Sequence, residues 1–99
     1  MRRQIVSHDS LYFVLNQKNL DAVSAAIAGD IRSEREKQNM SMNRLAERAG
    51  LSQQMVSYVE RGMRNPTIET LLRIASALEI DLVDVLQRAQ RAATKAKTQ

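Results

Sequence analysis

The chain has no cysteine and no tryptophan, one proline, one histidine and three glycines in 99 residues. Without cysteine there is no disulfide framework and no thiolate metal site, which points to a reducing cytoplasm and not to a stapled secreted fold. No apolar run approaches the roughly 20 residues a membrane helix needs, and no apolar signal-peptide core follows Arg2 and Arg3. So few prolines and glycines cannot supply the turns of an all-β domain. A lone histidine, His8, with no cysteine nucleophile, no Ser/His/Asp set and no glycine-rich phosphate loop excludes the common enzyme sites. Catalytic residues, metal ligands and cofactors are therefore expected to be absent.

What is there is 43% hydrophobic, with only 3% aromatic. The core of such a chain is built from Leu, Ile, Val, Ala and Met, and 99 residues make one small domain with some tail. Net charge is +4. Its placement says more than its sum: residues 27–87 hold eight Lys/Arg and nine Asp/Glu, whereas Arg88, Arg91, Lys95 and Lys97 follow with no acid among them. The excess sits in the tail, which reads equally as a solvated end or as a phosphate-seeking arm.

Helical spacing dominates. Leu20, Val23, Ile27 and Ile31 recur at three and four residues, with Asn19 or Asp21 as start signal and Asn39 as stop. Ser41 opens a second helix with Leu45, Ala46 and Ala49 inward, and Gly50 ends it. Ser52 opens a third with Val56 and Val59 inward, ended by Gly62. After a turn over 63–66, Thr67 caps a fourth helix carrying Ile68, Leu71, Leu72, Ala75 and Leu78 on one stripe. Asp81 caps a fifth with Leu82, Val85 and Leu86, which the alanine-rich tail prolongs by a turn or two. The run SLYFVLN, residues 10–16, packs five apolar residues together, and its β-branched and aromatic content leans to strand. The expected organisation is an extension over 1–18, a domain over 19–87 and a basic tail over 88–99.

Helices two and three are short and meet at Gly50, where a tight crossing needs a residue tolerant of positive φ. Ala46 is small enough for close approach. These residues, with Ile31, Arg35, Ser41, Leu45, Leu51-Ser52, Val56-Ser57, Val59-Glu60, Gly62, Pro66-Thr67, Leu71, Ile74-Ala75 and Leu78, resemble the phage-repressor (XRE or Cro/repressor) helix-turn-helix family over Ile31 to Leu86. The resemblance implies an all-α, five-helix DNA-binding fold and a transcriptional regulator, a repressor above all, acting as a homodimer on double-stranded operator DNA in the cytoplasm or nucleoid.

With Val56 and Val59 inward, Gln53, Gln54, Ser57 and Tyr58 project from the other side of the third helix. A helix enters the major groove with its N-terminal residues at base edges, and Gln pairs bidentately with adenine. The resemblance puts base or nearby phosphate contacts at these four positions. Ser41, Asn43 and Ser52 lie at helix starts, where amide groups and partial positive charge favour phosphate. Arg61, Arg64 and Asn65 lie in the turn expected to face the DNA backbone. Met42 stands where the family often has Gln and cannot make that side-chain hydrogen bond; Arg44 and Arg48 carry less weight as contacts. Arg35 and Glu60 match positions that pair across helices one and three in the family, a structural role. Glu34 stands where the family often has Leu, an exposed position on this reading.

Two rival biologies use the same domain. Antitoxins of toxin–antitoxin pairs repress their own operon while another segment holds the toxin, and restriction–modification controllers are a further look-alike. The 10–16 run or the basic tail would be the segment for a protein partner.

Overall fold

The computed structural model describes residues 5–63 and 66–98, with side-chain surroundings for 20–63 and 66–93. The described residues form five helices: α1 (Ile5–Lys37), α2 (Met42–Ala49), α3 (Gln53–Glu60), α4 (Ile68–Leu78) and α5 (Leu82–Thr98). No strand occurs among them.

Local chemistry sets most of the boundaries. Ser41, Ser52 and Thr67 sit in extended conformation, and each accepts a hydrogen bond from the amide three residues on. Such a cap satisfies one of the amides that have no partner at a helix start and is worth about 1 kcal/mol. Asp81 does the same for α5 through the Val83 amide, at 2.9 Å. Left-handed residues end the helices: Asn39 (φ 55) beyond α1, Gly50 (φ 70) at α2, Gly62 (φ 65) beyond α3 and Glu79 (φ 58) at α4. Glutamate lacks the short polar side chain that makes the left-handed region tolerable for Asn, so the turn after α4 carries a strain the sequence does not advertise.

Several sequence expectations need correction. The 10–16 run is helical, because α1 begins at Ile5 and continues without a break to Lys37. A β-leaning composition over seven residues yields to the helix on either side of it. For the same reason Asn19 and Asp21 cap nothing; both lie inside α1. The stripe on α4 is also turned from the expected one. Ile68 (62% exposed) and Leu72 (52%) face out, while Leu71, Ile74, Ala75, Ala77 and Leu78 are buried. Leu20 is exposed as well.

The core is centred on Leu45, Ile74, Leu78, Val56 and Val85, all but fully buried. Around them α2 and α3 form a compact pair held over α4. Behind that pair, α1 and α5 pack along each other. Gln38 Nε2 donates to the Leu78 carbonyl at 2.9 Å, and Arg88 donates two hydrogen bonds to Asp30 Oδ2 at 2.8 and 3.1 Å. As the chain advances from 78 to 88 it therefore passes back along α1 from 38 to 30, so the pairing is antiparallel. Ala89 and Ala93, in the tail of the sequence reading, are buried in this seam. The helix runs to Thr98, longer than the turn or two expected.

Candidate nucleic-acid interface

Helix α3 has two faces of opposite chemistry. Val56, Val59 and Glu60 are buried, whereas Gln53 and Gln54 are exposed and Ser57 and Tyr58 half-buried. At 3.6 residues per turn, Gln54 and Tyr58 stack on the side diametrically opposite the valines. The two are joined: Gln54 Nε2 donates to the Tyr58 hydroxyl at 3.0 Å. That bond orients the Gln54 amide while leaving its carbonyl oxygen and second N–H, the acceptor–donor pair that glutamine side chains in general offer to an adenine edge. The Arg61 guanidinium lies 5.8 Å from the Tyr58 ring centre, a cation–π contact one turn further on. Met55, 38% exposed, adds an apolar contact beside them that the sequence reading passed over. Only its exposure betrays it, since a methionine at helical spacing reads as core.

The buried edge of α3 is anchored to α1. Arg35 Nε donates to Glu60 Oε2 at 2.6 Å and Nη2 to Oε1 at 3.0 Å, a fork-to-carboxylate pairing. Its third nitrogen, Nη1, donates to the Met40 carbonyl at 2.7 Å. Glu60 is 3% exposed. The hydrogen bonds to Glu60 hold the Arg35 pKa above the ordinary arginine value, against the opposing effect of burial. A raised pKa of this kind contributes stability that is complete below the ordinary arginine range and is lost only as pH rises through the folded value, so the pair is intact at any physiological pH. An ion pair buried this way orients α3 on α1 more than it adds net stability.

The remaining site candidates separate by location. Ser41 and Ser52 spend an oxygen lone pair on their own helices, accepting from the Arg44 and Met55 amides at 3.0 Å each. Their hydroxyl hydrogens stay available to an acceptor. Asn43 is exposed in the first turn of α2. Arg61 is exposed at the end of α3, while Arg64 and Asn65 lie outside the described residues. Arg44 pairs with Glu47 and Arg48 with Glu79, both on the surface. Glu34 is half-buried, not exposed, and accepts from Lys37 Nζ at 3.1 Å.

This geometry, two capped short helices crossing at a left-handed glycine with a polar outer face, is matched by known proteins. A helix-turn-helix family model covers residues 31–85, more than half of the chain. The chain belongs to the helix-turn-helix family. Within it, the type is that of the XRE regulators. An uncharacterized HTH-type transcriptional regulator of Mycobacterium tuberculosis is 50% identical over 50 residues, 50% of this chain and 36% of that protein. The helix-turn-helix segment thus spans about a third of that relative's length. Control protein C.SmaI of Serratia marcescens is 36% identical over 66 residues, covering 67% of this chain and 79% of its own. Among solved structures, the clp gene regulator ClgR from Corynebacterium glutamicum superposes with a TM-score of 0.69 at 26% identity, over 77% of this chain and 81% of that one. The restriction-modification controller protein C.AhdI from Aeromonas hydrophila gives 0.60 at 31% identity, over 62% and 92%.

Proposed function

We propose that the chain is a sequence-specific DNA-binding transcriptional regulator, acting as a repressor, that lays α3 in the major groove and performs no catalysis. The observation that carries this reading is the outer face of α3, where Gln54, braced by Tyr58, stands directly opposite the buried valines. Gln53, Gln54, Ser57 and Tyr58 read base edges. Ser41, Asn43, Ser52, Arg61, Arg64 and Asn65 hold the flanking phosphates, and the Arg35–Glu60 pair fixes the angle of α3. A domain this small covers too little DNA alone for selective binding, so it acts in the cytoplasm as a homodimer on half-sites about 34 Å apart.

A Gln54→Ala variant tests this on an operator obtained by selection from random duplexes. The loss should be about 1–3 kcal/mol on the operator and much smaller on random DNA. Equal losses on both, or none, would sink base readout by Gln54. The mass of the complex in the same samples reports whether two copies bind.

The similarity to the restriction-modification controller protein C.AhdI favours a second reading, in which the regulated genes are those of a restriction–modification system. We place any protein partner, a toxin included, on residues 1–18 or 88–99, outside the matched segment.

A further inference from the structure

Five of the eight arginines whose side-chain surroundings are described are already committed to carboxylates. Arg35 pairs with Glu60, Arg44 with Glu47, Arg48 with Glu79, Arg73 with Glu69 and Arg88 with Asp30. Among the described residues, Arg32, Arg61 and Arg91 have no carboxylate partner. Arg32 lies on α1 and Arg61 caps the C-terminal end of α3, yet they line one groove of about 730 Å³ between α1 and the exit of α3.

Small residues bring them together. A Cβ built on Gly62 would lie 3.8 Å from the Ala28 Cβ, so the chain leaving α3 runs against α1 at that point. Arg32 is one turn beyond Ala28 on the same face of α1, and Arg61 is the neighbour of Gly62. The acid at the base of the groove, Glu60, is taken up by Arg35, which leaves Asp21 as the opposing charge among the lining residues. The groove is also continuous with the outer face of α3, because Arg61 lies over Tyr58 and Tyr58 is bonded to Gln54. When a helix lies in the major groove, contacts to the phosphates on either side fix its register and orientation.

We infer that Arg32 acts with Arg61 to hold a DNA backbone phosphate at the C-terminal end of α3, making α1 a direct contributor to DNA binding. This rests on α3 being the reading helix. Arg32 is a positioning residue in this scheme: it fixes how far α3 advances along the groove and carries no sequence information.

Full-length protein is titrated with random-sequence and operator duplexes between about 50 and 200 mM KCl. An Arg32→Gln variant should weaken both by a similar factor and flatten the plot of log affinity against log salt by about 0.9 per bound subunit. Arg32→Lys, which keeps the charge, should retain most of the slope. Asp21→Asn, which removes the opposing charge, should tighten binding to both duplexes. Because both residues are exposed, unchanged thermal melts are expected and separate a contact from a folding defect. An unchanged slope for Arg32→Gln overturns the inference while leaving base readout by α3 intact. A loss confined to the operator also overturns it, since that would mark a base contact. Failure of the wild-type chain to bind either duplex overturns the reading of α3 itself and this inference with it.

Discussion

Helices α1 and α3 solve opposite problems. At 33 residues α1 gains its stability by lying against α5, α3 and α4. At eight residues α3 is far too short to persist alone in water. It depends on Ser52 at one end, on the valines beneath it and on Glu60 at the other. The short helix, held from outside, can give its entire outer face to polar residues, whereas the long one must spend its sides on packing. The difference shows how an exposed polar surface is held in place without being buried: the restraint comes from its ends and its underside.

The link between the two helices is the place to break this arrangement with the largest effect. Arg35→Ala strands the Glu60 carboxylate in the interior and should cost about 3–5 kcal/mol in chemical denaturation. Pairing Glu60→Leu with Arg35→Met should recover most of that loss, because a well-packed apolar pair often replaces a buried ion pair at little cost. If the double variant is as unstable as the single, the pair does more than orient α3.

The cap of α3 comes next. Ser52→Ala removes the acceptor for the Met55 amide and should lower stability by about 1 kcal/mol, a fall of roughly 4–8 °C in Tm for a chain this size. An equal fall in DNA affinity after correcting for folding would make Ser52 a phosphate contact as well as a cap.

The smallest effect runs in the other direction and concerns α1. Gly29 sits within that helix at ordinary φ, and a Cβ added there meets nothing within 4 Å. Gly29→Ala should therefore stabilise the chain by about 0.5–1 kcal/mol, read as a higher Tm. A lower Tm would mean that α1 has to bend at that point.

The same contrast explains what could be read from the sequence. The α2–α3 unit was legible because its ends are written in residues of strong local preference: Ser41, Gly50, Ser52 and Gly62 mark starts and stops. In α1 no such punctuation exists before Asn39, and Asn19 and Asp21 imitate a start that the continuous helix overrides. A mid-helix Asn or Asp costs only about 0.7 kcal/mol, too little to break a packed helix. On α4, apolar residues at 68, 71, 72, 74, 75 and 78 allow more than one stripe, and only burial in the shared core, against α2 and α1, selects the one centred on Ile74. Arg32 was overlooked because a single exposed arginine on α1 has no signature; its interest comes from sharing a groove with a residue 29 positions away.

The antiparallel seam of α1 and α5 bears on how the molecule assembles. Asp30 and Arg88 are 58 residues apart, whereas α2 and α3 meet across a turn of a few residues. Each doubling of a closed loop adds only about 0.6 kcal/mol of entropy cost, but distant contacts are late in folding because nothing rewards the search until they form. The α2–α3 pair is thus expected to take shape early from local contacts, and the seam to close last. In kinetic terms α5 is expected to act as the latch of the fold, and substitutions in the side chains that hold it, Ala89, Ala93 and the Asp30–Arg88 pair, should act mainly by speeding unfolding.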